Sequence, residues 1–201
     1  MKTATVEPQV GSASVNVLRD GLFIVGGSLL IAIAAQIRIP SVPVPITLQT
    51  LAVLLVAGTL GSKRGTLAVV AYLLEGVAGL PVFATWGAGP AYLIGPTAGY
   101  LIGFLPAAYL AGHLCERGWG GRFLRCLPVF VAAHMVILML GTAWLARVSE
   151  ALALGDAIWR GAVLFIPGLM VKSVTAAMIV PMARLKLNAP ESDLPTVDPF
   201  A

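Results

Sequence analysis

Between Gly95 and Ala111 a small residue falls at every fourth position: Gly95, Gly99, Gly103, Ala107 and Ala111. The residues between them are mostly large and apolar, with Tyr100, Leu101, Ile102, Phe104, Leu105, Tyr109 and Leu110 among them. Residues four apart share one face of a helix, so the spacing draws a slowly drifting stripe with almost no side chain on it. A helix in water turns its large apolar residues inward. In lipid they can face outward, while the small stripe admits a neighbouring backbone. The stretch therefore predicts a membrane helix packed tightly against its neighbours. The connector feeding it, residues 79–94, is rich in Gly, Pro and aromatic residues. It is either a loop that carries a binding site or an irregular link.

The rest of the chain points the same way. Of its 201 residues 58% are hydrophobic and only 11% charged, and the mean hydropathy is +0.92. A soluble domain is about 45–50% apolar and about 25% charged. A span needs roughly 20 apolar residues, so six spans with short loops use up the length. The expected fold is an all-α membrane protein of six transmembrane helices over 19–186, with short aqueous tails at 1–18 and 187–201. The opening stretch holds Glu7 and no apolar run, and is not expected to be a cleaved signal peptide. Cys115 and Cys126 flank one short loop; they are too few for a disulfide framework and have no metal-ligand spacing. No metal or cofactor is expected. A net charge of +4 in a soluble protein would suggest nucleic acid. Here the basic residues are better explained as topology signals, and no nucleic-acid partner is expected.

The predicted spans are about 21–39, 46–60, 66–78, 94–114, 126–146 and 167–183. Asp20 stands where it can cap the first. The first also carries Ser28 and Ala32, a pair of small residues one turn apart. Pro40, Pro43 and Pro45 cannot continue a helix and favour an extended, polyproline-like path. Gly61–Gly65 is read as a tight turn. Residues 148–166 are mixed in character and fit a short surface helix, after which Pro167 suits a first helical turn. Spans 2 and 3 are short, so the loops at 40–45 and 79–94 are expected to dip into the membrane. Irregular backbone at that depth is tolerated only when buried in protein or lining a cavity. With six spans both loops fall on one side.

Lysine and arginine set orientation. Lys2, Arg19, Lys63, Arg64, Arg117, Arg122, Arg125, Arg184 and Lys186 fall on one side, and Arg38, Arg147 and Arg160 on the other. Both termini are then cytoplasmic. The remaining basic residue, Lys172, lies inside span 6, about one and a half turns from its outer end at 1.5 Å per residue. Such a charge costs roughly 2.5–3.5 kcal/mol on insertion scales. It either snorkels to the interface or faces a cavity and binds an anion or a carbonyl; the level of the outer loops favours the second.

Gln49 fits a cavity wall or a helix-packing hydrogen bond. Trp86, Tyr92 and Tyr100 fit ligand stacking or interfacial anchoring. Residues 79–94 are expected to form a lid that covers Trp86 and Tyr92. His113 and His134 lack a ligand partner at helical spacing and are read as packing residues. Glu75 is read as capping or solvated. No HExxH, GxSxG or GxxxxGK[ST] motif occurs, and no acidic pair lies inside a span. This argues against a membrane enzyme.

Four segments carry a family resemblance: Pro43-Val-Pro-Ile-Thr-Leu-Gln49, Gly79-Leu-Pro-Val82, Gly95-Pro-Thr-Ala-Gly-Tyr-Leu-Ile-Gly103, and Pro167-Gly168 followed by Lys172. In this order they resemble the BioY family, the biotin-specific substrate-binding (S) components of energy-coupling factor (ECF) transporters, over nearly the whole chain. The resemblance implies an S-component bundle in a bacterial cell (inner) membrane, holding biotin near the outer surface under the 1–2 and 3–4 loops. It implies a non-catalytic subunit with a transmembrane coupling (T) component and a pair of cytoplasmic ATPases as partners. Site residues expected on this basis are Lys172, Tyr92, Trp86, Gln49, Tyr100, Gly168 and Leu169, with Ser28 and Ala32 docking on the T component. Leu169 and Leu101 stand where many relatives carry charged residues, which leaves Lys172 as the charged contact. An S component for another vitamin, or a solitary biotin facilitator, is the alternative within transport.

Overall fold

The computed structural model describes residues 10–149 and 152–187. Helix α1 (Val10–Gln36) leads into a small antiparallel hairpin, β1 (Arg38–Ile39) and β2 (Ile46–Thr47), then α2 (Gln49–Val77). After a connector with two 3-10 turns come α3 (Ala98–Glu116) and α4 (Phe123–Val148). A short α5 (Leu154–Gly161) precedes α6 (Ile166–Leu187). Five helical stretches are long and apolar enough to cross a membrane: α1, α2, α3, α4 and residues 154–187. The tails read at 1–18 and 187–201 lie largely outside the described residues, although α1 already begins at Val10.

Helix α2 is continuous in hydrogen bonding but not in direction. A straight helix would hold Gln49 and Tyr72 roughly 35 Å apart. Instead the Gln49 Nε2 donates to Tyr72 Oη at 2.6 Å. The reversal sits at Gly61, where φ is +86° and ψ −179°, a conformation open to glycine and costly to other residues. The two arms then lie against each other closely enough that a Cβ on Gly65 would stand 2.6 Å from Ala57 Cα. Helix α3 clamps this reversal from outside. A Cβ on Gly112 would stand 2.5 Å from the Ser62 nitrogen. Both carboxylate oxygens of Glu116 bind Ser62, accepting its backbone N–H at 2.8 Å and its hydroxyl at 2.7 Å. An anion thus satisfies the start of the second arm, where helical N–H groups lack partners.

The stripe read from the sequence does pack helix on helix. A Cβ on Gly99 would meet the Leu140 carbonyl oxygen at 2.7 Å, and one on Gly103 the Ile137 Cα at 3.2 Å, so this face of α3 lies on α4. Ala107 and Ala111 are buried. The small residues of α1 named as a docking pair are packed inside the chain. Ser28 is 0% and Ala32 9% exposed. The Ser28 hydroxyl donates to Glu75 of α2 at 2.8 Å, and a Cβ on Gly27 would stand 2.8 Å from Ala68 Cβ. Exposed α1 residues such as Val17, Leu22 and Ile33 are large instead. Glu75 is accordingly a cross-helix acceptor.

The proline-rich stretch also departs from expectation. The chain does not run on as an extended polyproline path but turns back, pairing Arg38 with Thr47 and Ile39 with Ile46. This returns residues 40–45 over the same end of the bundle as the 79–97 connector. Gln36 at the end of α1 clasps that connector, donating to the Phe83 carbonyl at 3.0 Å and accepting the Trp86 N–H at 3.2 Å.

Because Gly112 meets backbone rather than a movable side chain, Gly112→Val should destabilise the detergent-purified protein by about 1–3 kcal/mol. Gly26, with open space around it, is the control: Gly26→Ala should melt like the parent in the same thermal unfolding assay.

Candidate functional site

Under the hairpin and the connector lies a largely apolar cavity, the concave kind of space that small-molecule sites use. Every neighbouring element contributes a wall. The hairpin gives Val44, Pro45 and Thr47, and α2 gives Gln49 and Thr50. The connector gives Tyr92 and Thr97, and α3 gives Tyr100, Leu101 and Phe104. Helix α4 gives His134, Ile137 and Leu138, and the last helical stretch gives Phe165, Leu169 and Lys172.

Lys172 is 8% exposed. Its ammonium donates to the Thr47 carbonyl and to Thr50 Oγ1. The carbonyl is available because β2 ends there. An ammonium has three protons, so one remains for a ligand oxygen. From Thr47 the network continues inward. The Thr47 hydroxyl donates to Gln49 Oε1 at 2.9 Å, Gln49 donates to Tyr72, and Tyr72 donates to the Val82 carbonyl at 3.3 Å. Gln49 is therefore both a cavity-wall residue and a packing residue, which joins the two readings its sequence position allowed.

The aromatic residues are fixed by their hydroxyls. Tyr92 stacks on Phe83 at 4.7 Å and donates to the Ala84 carbonyl at 3.2 Å. Tyr100 stacks on Phe165 at 5.9 Å and donates to the Gly161 carbonyl at 2.7 Å. With those hydroxyls engaged in protein contacts, both rings suit an apolar ligand surface. Outside the cavity is a vestibule of about 1,100 Å³ whose walls include Arg38, Pro40, Pro43, Thr85 and Gly95. Pro45, Tyr92 and Thr97 line both spaces and so form the partition between them.

The structure thus brings Lys172, Gln49, Tyr92, Tyr100 and Leu169 around one space. Trp86 and Gly168 are not part of that wall. Trp86 is 68% exposed, on the outer surface of the connector. Gly168 lines an adjoining crevice with Ile37, Ile46 and Val171, which shares Thr47 and Lys172 with the cavity. Sequence reasoning missed Thr50, Thr97, Phe104 and Phe165, and gave His134 a packing role only. The ring of His134 lines the cavity. Its contact with Ser173, 39 positions away, leaves no spacing signal in the sequence. Among the described residues no group of His, Cys, Asp or Glu could hold a metal ion.

A bundle with a lipid-facing exterior and an aromatic-walled cavity holding one buried ammonium defines a class: a membrane-embedded receptor for a small, partly apolar molecule. Comparison with known proteins narrows the class. The family model described as "BioY family" matches residues 3–189, and the chain belongs to the BioY family. It is 48% identical over 100 residues to the biotin transporter BioY of Thermotoga maritima, a match covering 50% of this chain and 57% of that relative. It is 38% identical to the probable biotin transporter BioY of Pyrococcus horikoshii, over 75% of this chain and 86% of that one. With the biotin transporter BioY of Rhodobacter capsulatus it shares 37% identity over 82% of this chain and 90% of the relative. Its fold is similar to the 2.1 Å crystal structure of an S component for biotin from an ECF-type ABC transporter. That match has a TM-score of 0.74 and 26% identity, and covers 87% of this chain and 94% of that one.

Gln49→Leu tests the buried network independently of any ligand. It removes the donor to Tyr72 and the acceptor for Thr47 at a position that is 5% exposed. The expected loss is about 1–3 kcal/mol, read as a lower melting temperature of the purified protein.

Proposed function

We propose that this chain is the biotin-capturing S component of an ECF transporter. It is non-catalytic, binding biotin from outside and releasing it inward with energy from a T component and a pair of cytoplasmic ATPases. The observation that carries the reading is the cavity around Lys172, in a chain whose relatives and structural neighbour are named for biotin. Biotin has a carboxylate, a ureido group and an apolar thiophane ring. The free ammonium proton of Lys172 suits a carboxylate or ureido oxygen. The Tyr100 and Phe165 rings suit the thiophane, with Leu169 adding apolar surface. Gln49 sets the depth of the site, and Tyr92 closes it toward the vestibule, where Arg38 attracts an anion.

The same proposal places six crossings in a bacterial inner membrane, with both termini cytoplasmic. Two observations support it. The reversal at Gly61 makes α2 two arms rather than one long span. Arg19, Arg64, Glu116 and Arg184 gather at one end of the bundle, as a cytoplasmic face rich in arginine requires.

Small molecules released from the purified chain should include biotin by mass spectrometry. Lys172→Ala should weaken biotin binding by more than about 1.5 kcal/mol, the loss of a charge-assisted hydrogen bond, measured by titration calorimetry. Unchanged affinity in the folded variant removes Lys172 from the site. A fluorescent protein fused after Ala201 should fold and fluoresce, whereas a periplasmic phosphatase fused there should stay inactive; the reverse pattern overturns the orientation.

A further inference from the structure

The cavity's polar side chains are mostly engaged with the protein already. Gln49 is held by Thr47 and Tyr72, Tyr92 by Ala84, and Tyr100 by Gly161. Thr50 and the Thr47 carbonyl are taken by Lys172. One group differs. His134 is 3% exposed, and its Nε2 is buried with no hydrogen-bond partner among the described residues. Thr66 and Thr142 also have such an atom, but neither lines the cavity. A buried polar atom left unpaired costs stability, and native structures retain few of them.

The other ring nitrogen fixes what Nε2 offers. Nδ1 lies 3.2 Å from the Phe130 carbonyl oxygen and 2.9 Å from Ser173 Oγ. A carbonyl oxygen only accepts, so the tautomer that uses both contacts has its proton on Nδ1, shared between these two. In the neutral ring Nε2 is then a bare lone pair, an acceptor. Its direction is fixed twice, by the backbone of α4 and by the side chain of α6. Ser173 follows Lys172 in sequence, so adjacent residues of α6 hold the cavity's cation and orient this acceptor.

We infer that His134 is a ligand-binding residue whose Nε2 accepts a hydrogen bond from an N–H of the bound molecule. On the reading of the site given above, on which this rests, that donor is a ureido N–H of biotin. A ureido group presents a carbonyl oxygen and N–H donors side by side. Lys172 matches the oxygen and His134 the N–H, so the cavity selects a cyclic urea over a lactone or carbonate of the same shape. This is a specificity contact, separate from the charge on Lys172.

The test is titration calorimetry of biotin against the purified full chain and two variants. His134→Leu removes the acceptor and should weaken binding by about fivefold or more. His134→Gln puts an amide oxygen near the Nε2 position and should bind more tightly than His134→Leu. Leucine binding as well as histidine, or glutamine binding no better than leucine, overturns the inference. Absence of biotin binding by the parent overturns the parent reading and this inference together; binding by the parent with an indifferent leucine variant overturns this inference alone. Should the leucine variant not fold, the parent still decides. The chain has two histidines, so ¹⁵N-histidine labelling yields two rings, assigned with His113→Gln. Biotin and dethiobiotin, which keep the ureido group, should both shift the His134 Nε2 resonance. A resonance unmoved at saturation overturns the inference.

Discussion

The ammonium of Lys172 and the carbonyl of Thr47 solve each other's problem. A charge among helices in lipid needs acceptors, and the hairpin ends on the carbonyl of Thr47, a residue 8% exposed. The contact between them ties the end of β2 to α6 and forms a roofed space beneath. The hydrogen bonds from Thr47 through Gln49 and Tyr72 to Val82 carry the tie across both arms of α2 to the connector. Helices from both halves of the chain are thus held around one site by a single polar chain. Either partner left alone would be a buried, unpaired group, the costly outcome in a low-dielectric interior.

Close approach of backbones makes that arrangement possible. Helices in lipid gain no hydrophobic advantage by associating, so van der Waals packing and interhelical hydrogen bonds hold them. The glycines do this locally. Gly65 lets the arms of α2 meet, Gly112 seats α3 on their reversal, and Gly99 and Gly103 lay α3 on α4. At the reversal the packing is locked by the carboxylate of Glu116 on Ser62. The end of the bundle at the reversal is consequently closely packed, while the roof at the other end consists of two loops clasped by Gln36.

This division explains what could be read in the sequence. Apolar stretches, the four-residue stripe and a lysine within a span are local signals, and each led to a helix, a tight interface and a cavity wall. The stripe states that something approaches closely; it does not state what. Ser28 and Ala32 on α1 therefore read as a docking face, and Ser28 bonds Glu75 of α2 in the same chain. The connector's aromatic content pointed to the site, but Tyr92 and Trp86 lie on opposite surfaces of it, an outcome set by positive φ at Thr85 and Trp86 rather than by spacing. His134 and Ser173 meet only through the α4–α6 packing, so no single helix face could reveal them.

The same polar chain bears on release. A ligand oxygen on the third proton of Lys172 leaves the Thr47 and Thr50 bonds in place. A ligand shifts a conformational equilibrium only by its differential affinity for the two states. One that fits the roofed state stabilises that state and opposes its own exit. Separating α6 from the hairpin would break the lysine contacts. Nothing in the bound state compensates that loss. On the transport reading, tight capture in this cavity raises the free energy needed for release.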